Sequence, residues 1–195
     1  MGSGASKNKG RTVRQLDPPP NEAAAKENAP PSLDTRIGFA SFRDFFTLKN
    51  YWKTVRRGEA ECGKNLLARY LNSNPQFRSK YPKLKNAPDE LSTGCADTAF
   101  EKVSALYLKL FDDVITVIEE QPGDASDAIT RLINCGKLHK NKIEGVKAGD
   151  FALMEKPFLK MVEDVLQDRF NDKAETLFTK FFQFCLKYLN EGFNA

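Results

Sequence analysis

Beyond about residue 38 the apolar side chains recur every three or four positions, the spacing that gathers them on one face of an α-helix. Trp52 and Val55 mark a first helix. Cys62, Leu66, Leu67, Tyr70 and Leu71 form one face of a second. Asn74-Pro75 then restarts the chain, as a cap followed by a proline at the first helical position. The longest stripe runs through Phe100, Val103, Tyr107, Leu110, Phe111, Val114, Ile115 and Ile118, and Pro122-Gly123 ends it. Ala128, Ile129, Leu132, Ile133, Gly136 and His139 trace a shorter helix. Residues 148–168 and 170–191 complete the set, and the last carries Phe178, Phe181, Phe182, Cys185 and Leu189, a stripe wide enough for a central place in the core. No strand-like alternation of any length interrupts this pattern. It predicts an all-α domain of six or seven helices with short joints.

Ahead of that domain the composition is different. Residues 1–35 hold Pro18, Pro19, Pro20, Pro30 and Pro31, an alanine run, several charges and no aromatic side chain. Such a stretch cannot bury enough apolar surface to offset its ordering entropy, so it is expected to be a disordered tail, with the folded domain spanning 36–195. The tail also accounts for an apolar fraction of 41%, a little low for a globular chain. A net charge of +4 is too small to imply nucleic-acid binding. Cys62, Cys95, Cys135 and Cys185 are far apart and form no C-x-x-C pair, which suits reduced thiols in a cytosolic protein. No apolar run approaches the roughly 18 residues a membrane span needs. A glycine-rich phosphate loop, a zinc-type cluster and a nucleophile motif are all missing, so no dedicated enzymatic centre is legible.

His139 is the single histidine of the chain. It lies near the end of a helix, on the face of Leu132 and Gly136. There a histidine can serve the helix dipole by its positive charge. Zinc would want three or four protein ligands, and none cluster with it. An iron porphyrin brings four donors of its own and asks the protein for one axial nitrogen.

The order and spacing of the segments resemble the globin family over most of the chain, roughly residues 38 to 193. Trp52, Gly63, Leu67 and Asn74-Pro75 resemble the first two globin helices and the proline that opens the third. Tyr81-Pro82-Lys83-Leu84-Lys85 resembles the turn over the haem edge, where the family usually has Phe-Pro-x-Phe. Phe100-x-x-Val103 followed by Phe111-Asp112 is similar to the distal helix of neuroglobin-like and nematode globins. Cys135-Gly136-Lys137-Leu138-His139 resembles Leu-Gly-x-x-His, and Gly145-Val146 followed by Phe151 matches the start of the next helix. The resemblance implies a globin fold of six to eight helices around a pocket for haem b, with His139 as the proximal iron ligand. It implies that Leu67, Tyr81, Leu84, Val103, Tyr107, Val146 and Phe151 contact the porphyrin, with Val103 where most globins carry a distal histidine. Val103 cannot donate a hydrogen bond or bind iron, so a bis-histidine haem is excluded by inventory. Tyr107 is larger than the small aliphatic residue usual at its position; a slip of one turn would place Leu106 or Lys102 over the iron instead. The implied ligands are dioxygen or another diatomic gas, and the implied role is electron transfer with a redox partner protein, or sensing, rather than oxygen storage. A haem-free globin-shaped adaptor is the alternative.

Met1-Gly2-Ser3-Gly4-Ala5-Ser6 fits the M-G-x-x-x-[ST] signal for N-myristoylation at Gly2. A single myristate binds membranes only reversibly, with an association constant of about 10⁴ M⁻¹. Lys7, Lys9, Arg11 and Arg14, with no acid before Asp17, add roughly 1 kcal/mol each near an anionic leaflet. Peripheral attachment to the cytoplasmic face of the plasma membrane is therefore expected, with residues 15–35 as a proline-stiffened tether. Gly2→Ala is expected to move the protein from the membrane pellet to the soluble fraction of a cell lysate; an unchanged pellet would rule out lipid anchoring.

Overall fold

The computed structural model describes residues 1–2 and 32–195. The tail's basic cluster, Lys7, Lys9, Arg11 and Arg14, lies outside the described residues. Met1–Pro30 and Pro31–Ala195 are separate units. In the first, the described residues Met1 and Gly2 are exposed. The second contains, among the described residues, six α-helices and no strand: α1 (Phe42–Arg57), α2 (Glu59–Ser73), α3 (Thr98–Glu120), α4 (Ser126–Lys142), α5 (Glu155–Leu166) and α6 (Asp172–Asn194). Short 3₁₀ turns stand in the joints α2–α3, α4–α5 and α5–α6.

Local chemistry sets where these helices begin. Ser41, Asp97 and Asn171 cap α1, α3 and α6, accepting the N–H of Asp44 (3.4 Å), Phe100 (2.8 Å) and Ala174 (3.0 Å). Such caps are each worth about 1 kcal/mol. Asn74 behaves differently from the cap its sequence suggests. Its side-chain amide donates back to the Tyr70 carbonyl at 2.8 Å. The chain then winds through 3₁₀ turns at Pro75–Lys80 and Pro82–Leu84 instead of a full α-helix. The physical reason is Pro82, which lacks an N–H and forces Tyr81 out of the helical region, to φ −116 and ψ 69. The segment 148–168 is likewise divided into a 3₁₀ turn at Ala148–Met154 and then α5. A continuous α-helix would need an N–H from Pro157; in the first turn of α5 that N–H has no partner to lose. The packed chain also starts earlier than the change in composition. Asp34 donates its backbone N–H to the Pro122 carbonyl at 2.8 Å, and its carboxylate accepts from Arg36 (2.6 Å) and from the Ala125 N–H (2.8 Å). The Arg36 guanidinium holds that carboxyl far below the usual carboxylate range.

An aromatic cluster from four helices forms the centre of the core. Trp52, fully buried, packs on Phe158, Phe178 and Phe181, and Phe111 lies 4.7 Å from Phe158. The Trp52 indole N–H donates to Asp112 at 2.8 Å, and Arg56 donates to the same carboxylate oxygen at 2.5 Å, tying α1 to α3. The polar end of the indole is thereby satisfied without leaving the core.

Two crossings bring backbones into direct contact. A Cβ on Gly63 of α2 would lie 2.9 Å from the Ser104 carbonyl oxygen of α3. The α4–α6 crossing is tighter and reciprocal. A Cβ on Gly136 would meet the Leu189 carbonyl oxygen at 2.1 Å, and one on Gly192 the Ile133 carbonyl oxygen at 2.0 Å. Both positions accept hydrogen alone. Gly136→Ala and Gly192→Ala are each expected to lower unfolding free energy by about 1–3 kcal/mol in chemical denaturation. Gly149→Ala, where a Cβ meets nothing within 4 Å, should stay within about 0.5 kcal/mol of the parent.

Candidate functional site

His139 occupies the last turn of α4, three residues beyond the Gly136 crossing. Its Nδ1 lies 2.8 Å from the Cys135 carbonyl oxygen, one turn back. A carbonyl can only accept, so Nδ1 carries a proton, which in the neutral ring leaves the lone pair on Nε2. That tautomer is the one an imidazole needs to ligate a metal through Nε2. The Cys135 thiol lies 3.7 Å from Nδ1 and stays neutral, since burial pushes it up to about 11. Phe151 meets the imidazole edge-on, with ring centroids 5.3 Å apart, and is braced behind by Phe193 at 5.7 Å.

The imidazole borders a cavity of about 80 Å³. Its lining includes Tyr70 of α2, Phe77, Lys80 and Tyr81 of the turns, Tyr107 and Phe111 of α3, and Cys135, Val146, Asp150, Phe151 and Met154. The hydroxyls of Tyr81 and Tyr107 hydrogen-bond to one another, and the Tyr107 ring lies 6.5 Å from both Tyr70 and Tyr81. Burial pushes all three phenols above the free-tyrosine range. They are neutral hydrogen-bonding groups at ordinary pH. One charged pair borders the cavity: Lys80 Nζ lies 2.9 Å from Asp150 Oδ2 and 2.6 Å from the Gly145 carbonyl oxygen. Burial raises the Asp150 pKa, but the Lys80 ammonium and the Lys147 N–H outweigh it, leaving the carboxyl below its ordinary value. A larger cleft of about 420 Å³ opens between α1, α2 and α3, around Trp52, Arg56 and Glu101, but the histidine is not among its walls.

Five residues singled out by sequence therefore meet at one cavity: His139, Tyr81, Tyr107, Val146 and Phe151. Leu67, Leu84 and Val103 do not line it. Leu67 and Leu84 are buried in the core, and the face of α2 that reaches the cavity presents Tyr70, one turn beyond Leu67. Val103 is half-buried against the core, and the longer Tyr107 side chain one turn on fills the space instead. The register of α3 excludes a one-turn slip, because Leu106 is 66% exposed and Lys102 is also exposed. Sequence reasoning missed Tyr70, Lys80, Asp150 and Met154. Tyr70 was recoverable, as a hydroxyl on an otherwise apolar stripe. Lys80 and Asp150 sit in turns 70 residues apart, where periodicity carries no signal.

Among the described residues no group of three or more His, Cys, Asp and Glu could hold a bare metal ion. A metal at His139 would thus need donors from a macrocycle. The donor chemistry fits a haem: one imidazole in the ligating tautomer, facing aromatic and aliphatic walls. The volume is small beside the roughly 300–1,000 Å³ of ordinary ligand pockets, so side chains that line it, Tyr81 and Tyr107 among them, would have to move. Both are single side chains that turn about χ1 without unfolding a helix.

A family model described as Globin matches residues 64–189, a span that contains every residue lining the cavity. Among solved structures, a hexacoordinated heme protein from an anhydrobiotic tardigrade superposes with a TM-score of 0.74. It is 23% identical, over 83% of this chain and 99% of that one. Hemoglobin of the botfly Gasterophilus intestinalis gives 0.67 at 17% identity, over 78% and 98%. No curated protein sequence matches the chain.

The three phenols make the fold sensitive to alkali. Their folded pKa values lie above the free value of about 10. The stability they contribute is complete below that value and is lost as pH rises toward the folded pKa, because the unfolded chain releases its protons first. Absorbance at 295 nm is expected to show three tyrosines titrating only as circular dichroism reports unfolding. Normal titration of all five tyrosines in the folded chain would contradict it.

Proposed function

This chain belongs to the globin family, and on that premise we propose that it binds haem b through His139 and serves diatomic-gas or electron chemistry. The observation that carries the reading is the Cys135 carbonyl hydrogen bond at 2.8 Å, which readies Nε2 as an axial ligand. Haem b, when bound, would be held by His139 and would supply an iron able to exchange an electron or bind a small gas.

The chain's own residues shape that chemistry. Phe151 and Val146 exclude water on the histidine side, and Phe151 restrains ring rotation of His139. Tyr107, like Tyr70 and Tyr81, lines the cavity with a hydroxyl able to donate a hydrogen bond, whereas Val103 has none to offer. A Tyr107 hydroxyl released from Tyr81 can donate to a partly negative ligand, contributing about 1.5–3 kcal/mol if charge-assisted. The tardigrade protein is described as hexacoordinated; here a second histidine cannot come from the same chain, which has one. With Val103 offering no hydrogen bond where most globins carry a distal histidine, the reading is sensing or electron transfer rather than storage.

The Gly2 signal and the basic cluster after it support a tether on the cytoplasmic face of the plasma membrane, where an anionic surface and a redox partner protein would be the neighbours. No described helix is long and apolar enough to cross a membrane. The small cavity favours one other reading, a haem-free adaptor of globin shape on the same tether.

Absorption spectra separate the two. Purified protein mixed with hemin is expected to develop a Soret band in the ferric and dithionite-reduced states, and His139→Ala to lose it or shift it to that of free hemin. Colourless parent protein would leave the adaptor.

A further inference from the structure

Charge is spread unevenly over the folded domain. Residues 76–86 and 137–150 hold eight Lys and Arg and two acids, whereas the whole chain has 30 against 26, so the rest of the chain carries slightly more acid than base. The two segments are distant in sequence but meet in space, where Lys80 Nζ donates to the Gly145 carbonyl oxygen at 2.6 Å. Lys83 and Lys85 follow closely on Lys80 in the first segment, and Lys142 and Lys147 stand on either side of Gly145 in the second. All four are exposed. Lys64, Lys109 and Lys160 are held by carboxylates, but these four have no ion-pair partner among the described residues. Of the two acids, Asp150 is taken up by Lys80, which leaves Glu144. Leu138, 55% exposed, stands one helical turn before Lys142 on the same face of α4.

Unpaired ammonium groups gathered on one face repel each other, and that repulsion is relieved against a surface of opposite charge. Here they flank an exposed leucine. That combination suits a lipid interface, where ammonium groups reach the headgroup phosphates and an apolar side chain enters the boundary beneath them. The Gly2 signal and the basic cluster that follows it make an anionic leaflet an expected neighbour of this chain. Resting on that reading of the tail, we propose that Lys83, Lys85, Leu138, Lys142 and Lys147 form a second membrane contact, which seats the folded domain on anionic lipid. Tyr81, His139, Ile143 and Val146, sequence neighbours of these residues, line the cavity, so the docked domain turns this border of the cavity toward the bilayer. Each lysine near an anionic leaflet contributes about fivefold in partition. Linked to the tail's own contact, the face acts at high effective concentration once the tail is bound.

Co-sedimentation of the full chain with vesicles of phosphatidylcholine, alone or mixed with phosphatidylserine, isolates the face. Every sample carries Gly2→Ala, Lys7→Gln, Lys9→Gln, Arg11→Gln and Arg14→Gln, so that neither an acyl chain nor the basic tail contributes. This tail-neutral chain should bind the phosphatidylserine vesicles and not the neutral ones. Raising salt from about 0.1 M to about 1 M, which shortens the Debye length from roughly 10 Å to roughly 3 Å, should release it. Lys83→Gln with Lys85→Gln, and Lys142→Gln with Lys147→Gln, should each weaken binding about tenfold. Lys53→Gln with Arg57→Gln, which removes the same charge from exposed positions of α1, should leave it within about twofold. Amide hydrogen exchange should slow at residues 82–86 and 142–148 when vesicles are added, and circular dichroism checks the fold of each variant. Equal weakening by the α1 pair, or protection that falls elsewhere, overturns the docking face. Absence of binding by the tail-neutral chain also overturns it, and leaves an acidic protein surface as the reading of the patch. No sample is acylated, so failure of the anchor at Gly2 is scored separately, in the pellet assay.

Discussion

The arrangement of the cavity depends on two helices whose backbones touch. At the α4–α6 crossing, Gly136 and Gly192 each face a carbonyl oxygen of the other helix at a separation that admits no methyl group. Removing two side chains brings the α4 axis close to α6, and His139 follows within one turn of the contact. From there the imidazole has little freedom. Its Nδ1 is bonded to the Cys135 carbonyl, its ring packs T-shaped against Phe151, and Phe151 rests on Phe193 of the same α6. A rigid helix pair therefore determines where the ligating nitrogen sits, which is the form of positioning that protein metal sites depend on.

The opposite wall is built on other terms. Tyr70, Tyr81 and Tyr107 bring hydroxyls into an apolar space, and those of Tyr81 and Tyr107 hydrogen-bond to each other. Burial keeps all of them protonated. They are held by side-chain contacts rather than by backbone packing, and can rearrange without disturbing a helix. Lys80 and Asp150 repeat this logic with charge in place of hydroxyls. The histidine is thus positioned by main-chain packing, and the phenols and the Lys80–Asp150 pair by side-chain contacts.

Much of the fold could be read along the chain. The α3 stripe from Phe100 to Ile118 and the α6 stripe from Phe178 to Leu189 became helices because burying an apolar face at a period of 3.6 leaves no competitive alternative. Turns were less legible. Asn74 sat where a cap was expected and bonded backward to Tyr70, and Pro82 and Pro157 divided segments that apolar spacing alone would have left whole. Asp34 anchors the start of the domain by hydrogen bonds to Arg36 and Ala125, an interaction that a change in composition cannot reveal.

At the cavity the division is sharper. The single histidine, its helix and the glycine three residues before it are features of neighbouring positions, and the sequence alone determined them. Which side chains would face that histidine was decided by the tertiary structure. The rotation of α2 brought in Tyr70 and left Leu67 in the core, and two turns far apart in the chain placed Lys80 beside Asp150. The reason is range. Helix formation and capping act over three or four residues, whereas a cavity wall is selected by how whole helices rotate and cross, which depends on every side chain packed between them.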